Sequence, residues 1–280
     1  MKKWNLIIDV AKCENCHNCT LATKDEHDGN SFPGYAAEQP RHGADWVKIE
    51  RKVRGEGTMV EANYQVTMCN HCDDAPCVKA GDGSVKKRDD GIVIIDPDKA
   101  RGRKDLVDVC PHKAIWWNEE LQLPQIWIFD AHLLDQGWKQ PRCAQSCPTK
   151  AIEAVKILDS EMSALVEKEN LRVQNPEFGT KPRVYYKNLH LMDTEFLGGC
   201  VLYDNNGTTD CVEDAKVTLL KDGNSIATTA TDFFGDFKFD GLAADSGEYT
   251  IEVSHPTQGQ AAITATFSQS RYINDILLQV

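Results

Sequence analysis

Cys13-Glu14-Asn15-Cys16-His17-Asn18-Cys19 places three cysteines at intervals of two residues, directly after the short apolar strand Leu6-Ile7-Ile8. Such close spacing requires a curled loop that aims successive sulfurs at one centre. A second group, Cys69-Asn70-His71-Cys72-Asp73-Asp74-Ala75-Pro76-Cys77, has intervals of two and four. Two further cysteines are each followed by proline, and their surroundings echo one another. They are Cys110-Pro111-His112-Lys113-Ala114-Ile115 and Cys147-Pro148-Thr149-Lys150-Ala151-Ile152. This internal repeat suggests a duplicated unit in which each Cys-Pro opens a turn and the Ala-Ile packs beneath it.

Three thiolates from one loop, with a distant fourth before a proline, is the ligand pattern of a cubane 4Fe–4S cluster. Structural zinc takes its cysteines two plus two. A zinc-stabilised scaffold with no redox role is therefore the alternative, and iron–sulfur is preferred. Of the 11 cysteines, nine lie between Cys13 and Cys147. The apolar run in Met1–Asp9 is too short for a secretory signal, so reduced, metal-binding thiols are expected rather than disulfides. No apolar run reaches the ~18 residues of a membrane span, and the chain reads as cytoplasmic. The net charge of −12 argues against nucleic acid as a partner.

The cluster-bearing part also holds strands at Val47-Lys48-Ile49, Tyr64–Met68 and Gly91–Ile95, with a polar loop over 25–41. Asp159 or Ser160 is expected to cap a helix running to about Asn170, with Met162, Leu165 and Val166 inward. Asn175–Gly179 breaks that pattern. From about 197 the chain changes to period-2 alternation, with strands at 199–203, 216–220, 225–230, 236–239, 249–254 and 263–267. Asn205-Asn206-Gly207 and Lys221-Asp222-Gly223-Asn224 are hairpin signals. These features predict a β-sandwich over 197–280, following an iron–sulfur domain over 1–196 whose closing segment is about 156–196. Cys200 and Cys211 are expected to be free thiols.

The segment from about 3 to 190 resembles the four-cluster ferredoxin-type subunit that accompanies molybdopterin oxidoreductases of the dimethyl sulfoxide reductase family. The resemblance implies an α+β fold, double ferredoxin-like. The run Asp232–Phe237 with Gly241-Leu242 resembles a transthyretin-like, Ig-like sandwich. In the oxidoreductase family, three cysteines of one group share a cluster with the last cysteine of another. Carried over, Cys13, Cys16 and Cys19 join Cys147, and Cys69, Cys72 and Cys77 join Cys110. The resemblance also implies a large catalytic partner subunit, in a heterodimer or higher assembly, carrying molybdenum bis(pyranopterin guanine dinucleotide). No catalytic residue is then expected on this chain.

Two sites of the family pattern are missing. One would need cysteines near Ala100, Arg103 and Leu106, with another at Gly81. The other would use positions near Ile126 and Phe129, then Cys143 and Thr23, of which only Cys143 is a cysteine. Cys143 is read as a relic packed like a small apolar residue. The competing reading is a third cluster completed by Asp130 or His132. His17, His71 and His112 lie beside ligands without being needed as ligands. Trp116 and Trp117 read as core or interface, and Arg101, Arg103 and Lys104 as a solvated loop or a contact for an acidic partner. The resemblance makes the chain an electron-transfer subunit. Its broken cluster series is similar to that of a subunit serving hydroxyl transfer between polyphenols with a tetrahydroxybenzene cosubstrate, which exports no electrons. The alternative is the subunit of a conventional soluble molybdenum or tungsten dehydrogenase or reductase.

Overall fold

A computed structural model describes residues 1–279. They form two compact units. The first holds Met1–Arg51 and Asn63–Leu189; the second holds Lys52–Ala62 and everything from His190 onward. The sequence pattern predicts a single break at 196/197. The structure instead divides the chain at 189/190 and assigns the tip of an earlier hairpin, Val47–Glu56 with Met59–Met68, to the second unit. The sequence marked only the buried ends of that hairpin, because its middle is charged and half-exposed.

The first unit is organised on a three-stranded sheet. The central strand Lys3–Asp9 runs antiparallel to Ile152–Ile157 and parallel to Val184–Lys187. Its register pairs Ile8 with Ile152, and the Asp9 amide donates to Ala151 O at 2.8 Å. The loop after Asp9 carries Cys13, and the turn before Ile152 carries Cys147. Strand pairing thus brings opposite ends of the unit to one edge. Helix Asp159–Glu169 covers the outer face through Met162, which packs with Ile7 and Leu171. Leu158, rather than Asp159 or Ser160, precedes this helix, and its amide is taken by the Glu161 carboxylate at 2.7 Å. Asp159 is not free to cap: it accepts from Lys3 at 2.7 Å and from Arg183 at 2.8 Å.

The second unit consists of two sheets. In one, the long strand Glu195–Asn205 is flanked by Thr208–Cys211, Asp236–Leu242 and, in parallel, Arg271–Leu277. In the other, Asn224–Ala230, Lys216–Lys221, Gly247–His255 and Gly259–Phe267 pair antiparallel in that order. Alternate residues from both sheets, among them Val217, Leu219, Phe237, Phe239, Ile251 and Val253, meet in one core. This is a β-sandwich. Its hairpins turn through Asn206-Gly207 and Asp222-Gly223, all four at positive φ, which matches the right-handed twist of the strands. Cys200 and Cys211 are both free, and Cys211 pairs across from Leu202 rather than Cys200.

Inside this unit the Arg54 guanidinium is almost fully buried. It forms a two-pronged pair with Asp240, both contacts 2.8 Å, and reaches Glu61 at 2.9 Å. Lys238 joins both carboxylates.

Candidate metal centre

The cysteine loops curl through left-handed residues: Asn15 (φ 58°) and His17 (φ 60°) flank Cys16, and His71 (φ 45°) lies just before Cys72. Asparagine tolerates this region. His71 is held there by the Val93 amide, which donates to its Nδ1 at 3.0 Å. The two Cys-Pro turns also match. Lys113 and Lys150 both have φ 52°, and their amides close on Cys110 O at 3.0 Å and Cys147 O at 3.3 Å.

The same backbone recurs where cysteines are missing. Gly102 (φ 80°) precedes Arg103, and Phe129 (φ 58°) precedes Asp130. The first supports the register Ala100, Arg103, Leu106. At the other loop Phe129 and Asp130 (φ 50°) are both left-handed, so the backbone marks the turn read near Ile126 and Phe129 without selecting one register. Spacing could not decide this, because every residue in Ile126–Phe129 is apolar.

In the N-terminal site, Cys13 and Cys147 are half-buried, Cys16 is exposed and Cys19 is buried. Burial, more than the neighbouring Cys13 and Cys147, pushes the Cys19 thiol up to about 11. Cys13 is raised by burial first, against a backbone hydrogen bond, and then by Cys147 and Cys16. The Cys147 sulfur accepts the Ala151 amide at 3.2 Å.

The middle site is more enclosed. Cys69 and Cys72 are buried, and Cys77 and Cys110 are half-buried. All four line one small, largely enclosed pocket, together with Val93, Ile115, Ile126 and His112. Burial raises Cys69 well above its ordinary value, and burial followed by Cys110 and Cys72 raises Cys77 to about 11. Burial and then the Lys87 charge hold His71 down at about 3, so the ring is neutral. The segment closing the unit lies over this loop. Arg183 N donates to Asn70 O at 2.9 Å, Asp73 N to Lys181 O at 2.9 Å, and Thr180 Oγ1 pairs with His112 Nε2 at 2.9 Å. Lys87 donates to His71 O at 2.6 Å and Cys72 O at 3.0 Å, and faces Asp73 at 2.9 Å. Sequence reading missed Lys87, because a lysine in the three-residue strand Val85–Lys87 carries no pattern of its own.

These donor sets suit a polynuclear group. The middle thiols line one pocket, and His112 on its wall has Nδ1 buried without a partner, a donor available to a sulfide. A bound cation would remove the thiol protons that burial otherwise retains.

The vacated loops are packed shut. Ala100 and Leu106 are fully buried, Arg103 caps the carbonyl of Ala80 at 2.9 Å, and a side chain at Gly81 would meet Val85 at 2.7 Å. Arg101 reaches Leu121 O at 2.8 Å, and Lys104 lies 5.4 Å from the Trp117 ring centre. At the other loop, Trp127 and Cys143 are fully buried. Asp130 accepts the Arg142 amide at 2.7 Å and pairs with His27 at 3.2 Å, while His132 bonds Glu26 at 2.9 Å. Thr23 Oγ1 donates to Cys19 O at 2.9 Å.

Thiol loops of this form define an iron–sulfur protein, and the profile of the 4Fe-4S dicluster domain matches residues 60–157. The chain is 46% identical to the pyrogallol hydroxytransferase small subunit of Pelobacter acidigallici, over 90% of this chain and 91% of that one. A putative dimethyl sulfoxide reductase iron-sulfur subunit from Halobacterium salinarum is 30% identical, over 67% and 80%. A tetrathionate reductase subunit from Salmonella typhimurium is 29% identical, over 67% and 73%. The chain belongs to the family of iron–sulfur subunits that includes the pyrogallol hydroxytransferase small subunit, and it is an electron-transfer subunit. No described helix is long and apolar enough to cross a membrane.

Proposed function

We propose that this chain carries two 4Fe–4S clusters. Cys13, Cys16, Cys19 and Cys147 hold one, and Cys69, Cys72, Cys77 and Cys110 hold the other. The shared cavity of the second set carries the reading. A left-handed residue in each of four loops, and the matching turns at Lys113 and Lys150, support a double ferredoxin-like fold for the first unit, and the sandwich is read as transthyretin-like. Cys143 is a relic: it is fully buried, and its neighbour Asp130 has both carboxylate oxygens engaged.

The partner is a large catalytic chain that holds molybdenum bis(pyranopterin guanine dinucleotide), and the complex is cytoplasmic. On that partner a hydroxyl passes from a tetrahydroxybenzene cosubstrate to pyrogallol: the donor is left as phloroglucinol and the acceptor becomes a new tetrahydroxybenzene. The clusters supply one-electron chemistry. This chain's residues fix the thiolates, exclude water around the middle site, and present hydrogen-bond donors to it. The transfer is redox-neutral overall, so two vacated sites cost it nothing downstream.

Anaerobic purification of the complex tests this. We expect about eight irons and eight labile sulfides on this chain, with molybdenum on a larger partner. Zinc without sulfide would sink the cluster assignment. Turnover of pyrogallol should need no external acceptor. Rapid dye reduction by substrate would instead identify a conventional dehydrogenase.

A further inference from the structure

We propose that Lys87 is a positioning residue that sets the reduction potential of the middle cluster above that of the N-terminal one. This rests on reading the eight cysteines as ligands. The Lys87 ammonium is mostly buried, at 21% exposure, and grips the ligand loop itself through His71 O, Cys72 O and Gly91 O at 2.6, 3.0 and 2.8 Å. Its counterion is shared. Asp73 faces Lys87 at 2.9 Å, Arg183 at 2.7 Å and Lys3 at 3.7 Å. Asp159, the other anion of the group, is more than half exposed. Three cations therefore stand against two carboxylates beside Cys72, and the surplus positive charge faces a dry site.

At the N-terminal site the lysine beside the ligand loop, Lys12, one residue before Cys13, is 59% exposed and pairs with Asp9 at 4.0 Å, so water screens it. Reduction adds one negative charge to a cluster. A fixed cation within a few ångströms stabilises the reduced form and raises the potential, and low local dielectric strengthens the effect. Cluster type and the four-cysteine ligand set are alike at the two sites; spacing within the loops, burial and charge differ, and Lys87 supplies the charge difference.

The test uses the whole complex, purified anaerobically with Lys87→Met, Lys87→Gln and Lys87→Arg, and a redox titration followed by electron paramagnetic resonance. Iron and sulfide counts on the unaltered complex come first; a zinc protein fails there, before any variant is read. With clusters present, Lys87→Met and Lys87→Gln should lower one midpoint potential and leave the other in place, while Lys87→Arg keeps both near their original values. Unmoved midpoints in all three variants would overturn the proposal, as would an equal shift of both clusters. Loss of about half the iron from the Met and Gln variants, with Lys87→Arg intact, would also overturn it, because Lys87 would then hold the loop rather than tune the cluster.

Discussion

The two units are built on different physical terms. The second has a core of fifteen buried residues, supplied mainly by strands of six to eleven residues in two sheets. Such a core gives a net stability of its own. The first has more residues but shorter elements. Its hairpins Val85–Lys87 with Val93–Ile95 and Trp116–Asn118 with Leu123–Gln125 use three residues a strand, and most of its helices span four or five. Two-stranded ribbons of that length are marginal alone. On the proposed ligand sets, what ties them are the distant cysteine pairings 13–147 and 69–110, so that one unit would carry its own stability while the other would take much of it from bound metal.

Removing the metal should therefore have the largest effect. Anaerobic chelation of iron from the full chain is expected to strip amide-exchange protection from most of residues 1–51 and 63–189, and to leave the strands of the sandwich protected. Equal loss in both units would break the contrast. The next effect separates the two metal sites. Cys69→Ser, in the buried site, should lose about four irons of eight, because no water can stand in for the missing thiolate. Cys16→Ser, at an exposed position, should keep more iron, since solvent reaches the vacant ligand site. Iron counts on both variants decide this.

Legibility followed the same division. In the sandwich, alternation at Val217/Leu219 and Tyr249/Ile251/Val253 showed in the sequence, because each strand buries one face. Thr208–Cys211 did not show, since all four residues are exposed, nor did Arg271–Leu277, whose inward Ile273 and Ile276 are separated by two polar residues. In the first unit, cysteine spacing carried the site almost alone. It could not show how the vacated loops are filled, since an apolar residue in place of a ligand looks like any core residue. Nor could it show Lys87 or the Arg183–Asp73 pair. The Arg183 contact depends on a chain segment more than a hundred residues away folding back over the loop, and Lys87 sits in a three-residue strand that carries no pattern.

Two smaller predictions test the claim that the sandwich stands on its own interactions. Arg54→Met leaves Asp240 and Glu61 with only Lys238 as a partner, and should cost about 3 kcal/mol in denaturant unfolding of the second unit. Iron content should not change. Unfolding that costs well under ~1 kcal/mol would show that the guanidinium is replaceable.

The smallest effect is on acid stability. Burial alone would push Glu61 and Asp240 up, but hydrogen bonds and charge from Lys238 and Arg54 outweigh it, and both carboxyls are held below their ordinary values. A depressed folded-state value means that this contribution is fully present above the unfolded values near ~4 and is lost as pH falls through the folded ones. Sandwich stability, read by denaturant midpoint on the iron-free chain, should thus hold steady down to about pH 5 and decline below about pH 4. The Arg54→Met variant should decline less steeply, since its carboxyls lose one of the two cations that depress them. A variant with the same acid slope as the unaltered chain would show that Arg54 does not govern these carboxyls, and that the acid sensitivity arises elsewhere in the unit.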